Sequence, residues 1–321
     1  MNLKVIMRKN FNDVDLIVKS GAAVPVECSF GCKSVVDGLQ MDHHGEMSHL
    51  ESVAIRAYRD FFGRNTDKPF VVNHIDADNT FAIAALSGLL PHPDNRYAEQ
   101  LPENLRAVWQ KDVSALAETI AIVDTDPIGR DILSMPFGEV LVTWNAMYGN
   151  GAEDELSALA AIQGWRWLLT NRNAAPFIKM AAELENSRVD NALLDLRERG
   201  EKFGAVMLIN GSRVFGFNEW YQRRDDEDCP GHIDGWDNPV VISLVENAGN
   251  ITIGCPNQRV AEKLFGLGGL KNVFARLNTV FGLSGNNGFG GREVIGGSPR
   301  GRVMTQDELR LTARTVDQMI V

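Results

Sequence analysis

Apolar residues come in short bursts at the start of the chain. Residues 3–7, 14–18, 24–26 and 34–37 are such runs, and Gly21, Pro25, Gly31 and Gly38 punctuate them. They predict strands with tight connections. Val35-Val36-Asp37 has the form of a buried strand that ends in a carboxylate. The period then changes. Ser48 and Glu51 stand at capping-box spacing, and Leu50, Ala54, Ala57, Tyr58 and Phe61 recur at helical intervals, which predicts a helix to about Phe62. Residues 70–73 predict a short buried strand, 80–90 a helix of small apolar residues stopped by Pro91 and Pro93, and 105–119 a longer helix. Residues 120–126 predict another strand with a carboxylate end at Asp124.

The pattern is mainly helical over 154–199. Residues 154–169 predict a helix burying Trp165 or Trp167. Residues 176–199 predict an amphipathic one, with Phe177, Ala181, Leu184, Val189, Leu193 and Leu196 as its stripe and Gly200 as its stop. Beyond it, 203–209 and 213–217 predict a hairpin about Asn210-Gly211, and 240–245 with 250–254 a second strand pair. Helices follow over 259–265 and 270–281, then a glycine-rich run over 282–301, then a helix from about Thr305. The fold class expected is α/β in two domains: a parallel-sheet domain over 1–175, a connecting helix over 176–200, and a smaller α/β domain over 201–321. At 321 residues the chain exceeds one ordinary core.

Composition narrows the function classes. The formal net charge of −10 excludes a protein that wraps long duplex nucleic acid, which needs a positive surface. Small phosphorylated ligands stay open, because metal ions reverse the local sign of an acidic site. No apolar run is long enough to span a bilayer, and residues 1–9 lack the pattern of a secretory signal, so a cytoplasmic location is expected. Four cysteines, only two of them close together at Cys28 and Cys32, predict ordinary reduced thiols.

The chemistry concentrates in two stretches, Asp42-His43-His44 and His74-Ile75-Asp76-Ala77-Asp78. In an extended segment the side chains of His74, Asp76 and Asp78 point one way, so they can reach two ions about 3.5–4 Å apart. His43 and His44, if extended, cannot both aim at one point. One is then a ligand, and the other lies near the substrate or is held by a carboxylate. Asp37 and Asp124, at two further predicted strand ends, join the candidate ligands. Parallel α/β sheets bind at the carboxyl ends of their strands. Mixed imidazole and carboxylate donors suit Mn²⁺ over Mg²⁺, with Co²⁺, Fe²⁺ and Zn²⁺ open.

Asp42-His43-His44 with His74-Ile75-Asp76-Ala77-Asp78 resembles the DHH phosphoesterase superfamily, in which the His-x-Asp-x-Asp motif normally comes first; here the order is reversed. Gly290-Gly291-Arg292 and 296–301 resemble the substrate loop of the companion DHHA1 domain. The resemblance implies a DHH-like N-terminal domain and a DHHA1-like C-terminal one. It implies His74 and Asp76 on one metal, Asp78 and His43 on the other, and Asp37 or Asp124 bridging. His44 would be at the phosphate, Asp42 would orient the histidines, and Arg292, Gly296, Gly297, Ser298 and Arg300 would contact substrate. The implied activity is two-metal hydrolysis of phosphodiester or phosphoanhydride bonds in short oligonucleotides or small nucleotides. A nucleotide-sensing protein that keeps the fold is the alternative, and a homodimer stays open.

Overall fold

Three short strands carry the N-terminal half. In the computed structural model, which describes residues 3–30, 33–64, 67–126, 128, 130–149, 151–211, 221, 238–245, 249–284, 288–299 and 302–320, the chain divides into two units. The first comprises residues 1–126 and 131–185, the second 127–130 and 186–321. The first unit contains β1 (Val5–Met7), β2 (Val24–Pro25), the ribbon strands β3 (Ser29–Phe30) and β4 (Lys33–Ser34), and β5 (Phe70–Val72). Strands β1, β5 and β2 form a parallel sheet in that order, with Val5 opposite Phe70 and Val24 opposite the same residue. All three β5 residues are buried. An uninterrupted apolar strand suits a sheet covered on both faces.

Helices supply the cover: α1 (Phe11–Lys19), α2 (Val53–Asp60), α3 (Ala77–Leu86), α4 (Glu103–Trp109), α5 (Ser114–Thr125), α6 (Gly138–Tyr148), α7 (Glu155–Thr170) and the start of α8 (Ala175–Arg199). Helix α3 is buried over nearly its whole length and packs on α2, α5, α6 and α7. The indoles of Trp144 and Trp165 stack with centroids 4.9 Å apart. Each satisfies its N–H in the core, Trp165 on Thr80 Oγ1 and Trp144 on Ala161 O. Such satisfaction is what allows two indoles to be fully buried.

Several sequence expectations are corrected here. Residues 14–18 are helical, in α1. Phe11, Val14, Ile17 and Val18 pack together, which is helical spacing, and Asn10 caps the start. Residues 120–126 are not a strand but the end of α5. Leu116, Ala117, Ile120 and Ala121 are its buried face and Ile122 is exposed. The predicted helix over 105–119 is two helices, α4 and α5. The predicted strand over 34–37 is reduced to the two-residue β4. Helix α2 begins at Val53, after Ser52, instead of at the Ser48 capping box. Helix α6 has no counterpart among the elements the sequence pattern predicts. The stripe of α8 is only partly used: Ala181 and Val189 are buried, while Phe177 and Leu184 are exposed.

The second unit is built on a six-stranded sheet: β6 (Glu201–Phe203), β7 (Val206–Gly211), β8 (Val240–Val245), β9 (Asn250–Gly254), β10 (Gly290–Gly291) and β11 (Ile295–Gly297), in the order β10-β11-β9-β8-β7-β6. Strands β7 and β8 are parallel and the other neighbours antiparallel. The Asn210-Gly211 hairpin is corrected. Both residues lie in β7, paired with Leu244 and Val245, and the turn is at Gly204, whose φ of +58° suits a residue without Cβ. Residues 213–217 lie outside the described residues. Helices Gln258–Phe265, Leu270–Phe281 and Gln306–Asp317 complete the unit; the last starts with a capping box between Thr305 and Glu308. Among the described residues no helix is long and apolar enough to cross a membrane.

Candidate metal centre

Strands β2 and β5 run parallel, so their carboxyl ends lie side by side. Glu27 follows β2 by two residues and His74 follows β5 by two. The loop carrying Asp42, His43 and His44 lies against the same edge: Glu27 N–H donates to Met41 O at 2.7 Å. Asp124 arrives from the last turn of α5. Three groups of side chains have ligand atoms within 4.8 Å of one another: Glu27, His74 and Asp76; His43, Asp78 and Asp124; and Glu27, His43 and His44. Glu27 belongs to two of them.

Asp76 and Asp78 are positioned by helix starts, which corrects the extended alternation expected of 74–78. Asp76 is the N-cap of α3. Its Oδ1 accepts from Asn79 N–H at 2.9 Å, and its Oδ2 is 2.6 Å from His74 Nε2. Asp78 lies in the first turn of α3 and reaches the start of α2. Its Oδ1 accepts from Ser52 Oγ at 2.6 Å and Ala54 N at 2.9 Å, leaving Oδ2 to face His43 Nε2 at 2.9 Å. In both carboxylates one oxygen caps a helix and the other faces the cluster.

The histidines are aimed by their neighbours. His74 Nδ1 is 2.5 Å from Asn73 Oδ1, whose amide in turn donates to Ser29 O. With Nδ1–H donating to that oxygen, the ring is turned so that Nε2 faces the cluster; its N–H donates to Asp76 Oδ2, and it is the nitrogen that an ion replacing that proton would bind. His43 Nε2 lies 2.9 Å from Asp78 Oδ2, 3.0 Å from Glu27 Oε1 and 3.3 Å from Asp124 Oδ2. His44 approaches the same Glu27 oxygen with its other ring nitrogen, Nδ1, at 3.4 Å. Two adjacent histidines thus converge after all, one by its far nitrogen and one by its near nitrogen. Asp42 Oδ1 accepts from His44 N–H at 2.8 Å, and Arg56 ties the loop down through Gln40 O and Asp42 O.

Charge is unbalanced here. Glu27 and Asp42 are fully buried, and Asp78 nearly so. Glu27 Oε2, Asp42 Oδ2, Asp78 Oδ2 and Asp124 Oδ2 are buried with no aligned hydrogen-bond donor. Burial, reinforced by Asp76, Asp78, Asp124 and Asp42, pushes the Glu27 carboxyl well above the usual range. Burial also raises Asp124, with Asp78 and Asp76 adding to it. Asp76 goes the other way: burial opposes, but hydrogen bonds from His74 and Asn79 hold it low. For His43 burial opposes a rise that Asp78 and Asp124 outweigh.

A single imidazole nitrogen has one lone pair or one N–H. It cannot satisfy three acidic oxygens, whereas a divalent cation accepts all of them. The orphaned oxygens, the orientation of His74 with Nε2 toward the cluster and the donor set all fit such an ion. Two neighbouring groups sharing Glu27 give capacity for one or two. Mixed imidazole and carboxylate ligation is what metal-dependent hydrolytic enzymes use.

Other sequence candidates go elsewhere. Asp37 is not brought to the cluster; its Oδ1 accepts from Leu39 N–H and shapes the turn into the Asp42 loop. Glu27 was missed, although Val24-Pro25-Val26-Glu27 shows the same apolar run ending in a carboxylate that singled out Asp37. In the second unit, Gly296 and Gly297 sit inside β11, paired with Ile253 and Thr252. A Cβ on Gly296 would meet the Phe274 ring at 2.4 Å, and one on Gly297 would meet Ile251 O at 2.2 Å. Ser298 exchanges hydrogen bonds with the Ile251 backbone. These glycines are required by close packing. Arg292 is exposed at the turn, and Arg300 lies outside the described residues.

Cys28 is a buried thiol donating to Val71 O at 3.2 Å; burial pushes it up to about 12, so it stays protonated. Cys32 and Cys229 lie outside the described residues.

No protein-family model matches the chain, and no curated protein matches it. Among solved structures it is similar to PggH, a pGpG-specific phosphodiesterase from Vibrio cholerae, at 12% identity over 99% of each chain with a TM-score of 0.39. The chemistry of the site therefore rests on its own residues.

Proposed function

We propose that the chain is a divalent-metal-dependent phosphohydrolase of the DHH superfamily that cleaves phosphodiester or phosphoanhydride bonds in short oligonucleotides or small nucleotides. The observation that carries this reading is the convergence of Glu27, Asp78 and Asp124 on one nitrogen of His43 in a buried pocket of unpaired acidic oxygens. Glu27, His74 and Asp76 would hold one ion, and His43, Asp78 and Asp124 the other, with Glu27 between them. Manganese suits that mixture best. Bound there, the ions supply a water of lowered pKa and neutralise charge on the transferring phosphoryl group.

The chain's own residues do the rest. Asn73 orients the His74 ring so that Nε2 faces the cluster. Ser52 and the Ala54 amide hold Asp78 so that only Oδ2 is presented. His44, half-buried beside His43, is placed to meet a phosphate oxygen or the attacking water. In the second unit Arg292 is the candidate for anion contact; Gly296, Gly297 and Ser298 are engaged in the sheet.

The test is release of mononucleotides from a panel of linear and cyclic dinucleotides, with inorganic pyrophosphate as the anhydride arm, in the presence and absence of Mn²⁺. Metal content of the purified protein is measured alongside. Metal-dependent release that is lost in His43→Ala and Asp76→Ala supports the reading. Absence of any bindable divalent metal, or variants that match wild type, would sink it. Tight nucleotide binding without turnover would point to a sensor instead.

A further inference from the structure

A second cavity in the first unit lies away from the acidic cluster. Helices α2 and α3 both present their N-terminal ends to the metal centre, through Ser52 and Ala54 and through Asp76 and Asp78. The cavity opens at their other ends, lined by Arg59 to Gly63 after α2 and by Ser87 to Leu89 after α3. Eight helical residues in α2 rise about 12 Å, which is roughly the separation. The cavity volume is about 640 Å³, within the range of small-molecule sites.

Its walls are aromatic and its mouth is basic. His92 stacks on Phe62 with centroids 4.1 Å apart and planes 17° apart. Burial lowers the His92 pKa, and its Nδ1 accepts from Asp94 N–H, so the ring is neutral and flat against the phenyl. Trp109 also lines the cavity, with the Tyr97 ring edge-on to it at 6.2 Å and 55% of Tyr97 exposed. The Arg166 guanidinium sits over the Trp109 ring at 5.0 Å. Arg59 is neutralised by Glu51 and Asp60. Among the described residues Arg96 and Arg166 have no acidic partner; Asp94 and the paired Arg59 and Asp60 are the other charges of the lining.

At the floor is Ser87, the C-cap of α3, fully buried, with an Oγ that has no hydrogen-bond partner. A buried hydroxyl without a partner is costly, and Ser87 is among the residues that line the cavity, so a polar ligand atom bound against it would satisfy it. The carboxyl end of a helix is negative, so this floor favours N–H donors. The rim, with Arg96 and Arg166, favours an anion.

From these features we infer that this cavity is a binding site for a nucleoside monophosphate, distinct from the metal centre, with the base between the aromatic walls, its N–H edge on Ser87, and the phosphate on Arg96 and Arg166. The site is separate from the proposed reaction and does not depend on it.

Calorimetric titration of the full-length protein with AMP and GMP, once in Mn²⁺ and once in EDTA, tests this. Adenosine and inorganic phosphate serve as part-ligands. One saturable site that persists in EDTA is expected, binding AMP or GMP more tightly than adenosine. Tyr97→Ala and Arg96→Ala should each weaken that site about tenfold with an unchanged unfolding midpoint, because both side chains are exposed. Ser87→Ala should weaken it several-fold. The inference is overturned if no site survives EDTA, if Tyr97→Ala and Arg96→Ala leave the affinity unmoved, or if adenosine binds as tightly as AMP. Turnover of dinucleotides is not read in this experiment, so its failure is separate from failure of the metal-hydrolase reading.

Discussion

Glu27→Gln should have opposite effects on stability with and without metal. The side chain is fully buried, and its ligand atoms lie within 4.8 Å of those of His74 and Asp76. Two unit charges at that separation interact by about 3 kcal/mol at an effective dielectric constant of about 20. Burial, reinforced by the neighbouring carboxylates, pushes the Glu27 carboxyl upward, which favours its protonated form and offsets part of this repulsion when no metal is bound. The relief from an isosteric neutral amide is therefore smaller, about 1–2 kcal/mol at neutral pH, or about 2–8 °C in unfolding midpoint for a domain of this size. The amide oxygen can still accept the hydrogen bond that Glu27 Oε1 makes with His43. The gain should grow with pH. An acid whose folded pKa is raised contributes stability at low pH that is lost as pH rises through the folded value, and glutamine has no such loss. With Mn²⁺ the order should invert. Removing a ligand shared by both groups should weaken the binding of each of two ions about tenfold, cutting metal-induced stabilisation by about 1.4 kcal/mol per ion, or about 2.8 kcal/mol together, more than the metal-free gain. Thermal unfolding of both proteins in EDTA and in saturating Mn²⁺, at pH 6, 7 and 8, gives all the numbers. A variant less stable than wild type in EDTA would mean that Glu27 has a structural counter-charge and is not held there by repulsion awaiting a cation.

The same geometry yields three further outcomes. Ser52→Ala removes one of two donors to Asp78 Oδ1 and should cost about 1–2 kcal/mol, with weaker Mn²⁺ binding by calorimetry; unchanged metal affinity would show that Asp78 is aimed by Ala54 N–H alone. Arg56→Lys loses the fork that joins Glu51 O, Gln40 O and Asp42 O, so about 2–3 kcal/mol of stability in urea unfolding and most turnover should go together; a variant with intact stability and activity would remove Arg56 from the account. His92 has a lowered pKa through burial, so its contribution to stability is present above the ordinary imidazole range and is lost as pH falls through the folded value; His92→Phe should flatten the pH dependence of unfolding below about pH 6.5, and identical slopes in the two proteins would contradict the stacked neutral ring.

The metal-centre residues were legible where local pattern and tertiary role coincide. His74, Asp76 and Asp78 stand out because a buried strand ends at Asn73, and a polar cluster at a strand end is visible without knowing the next element. That element was hidden: Asp76 begins a helix, because Asn79 closes a capping box with it, and the predicted start at Thr80 was three residues late. Asp124 was found through a wrong element. Its run of apolar residues fits a strand or a buried helical face, and only the packing of Leu116, Ala117 and Ile120 decides between them. Glu27 and Asp37 show the same limit from both sides. Each comes after an apolar run, and pairing is what separates them: β2 joins the sheet beside β5, whereas residues 34–37 do not. No local feature of either segment encodes that. The glycine-rich run near the C-terminus was misleading for a different reason. Glycine serves close backbone approach to an anion and close packing between strands equally well; at Gly296 the Phe274 ring leaves no room for a Cβ, so packing by itself accounts for the glycine there.

The way the carboxylates are anchored explains how a fold can hold this much like charge together. A carboxylate confined by a metal alone would swing away, or take up a proton, whenever the metal left. Asp76 and Asp78 cannot swing, because each has one oxygen fixed by backbone N–H groups at a helix start. Those donors and the positive helix ends hold the fixed oxygens in place, and for Asp76 the Asn79 N–H helps keep the carboxyl low. Glu27 and Asp124 have no such anchor, and burial together with the neighbouring carboxylates raises both. Glu27 also holds a left-handed backbone, φ +50°, as does Gln40 in the facing loop at φ +54°, conformations that cost a non-glycine residue of order 1 kcal/mol or more. A preorganised pair and a pair without such anchors make different contributions: the first sets where an ion sits, and the second sets how strongly the empty cluster gains from taking one.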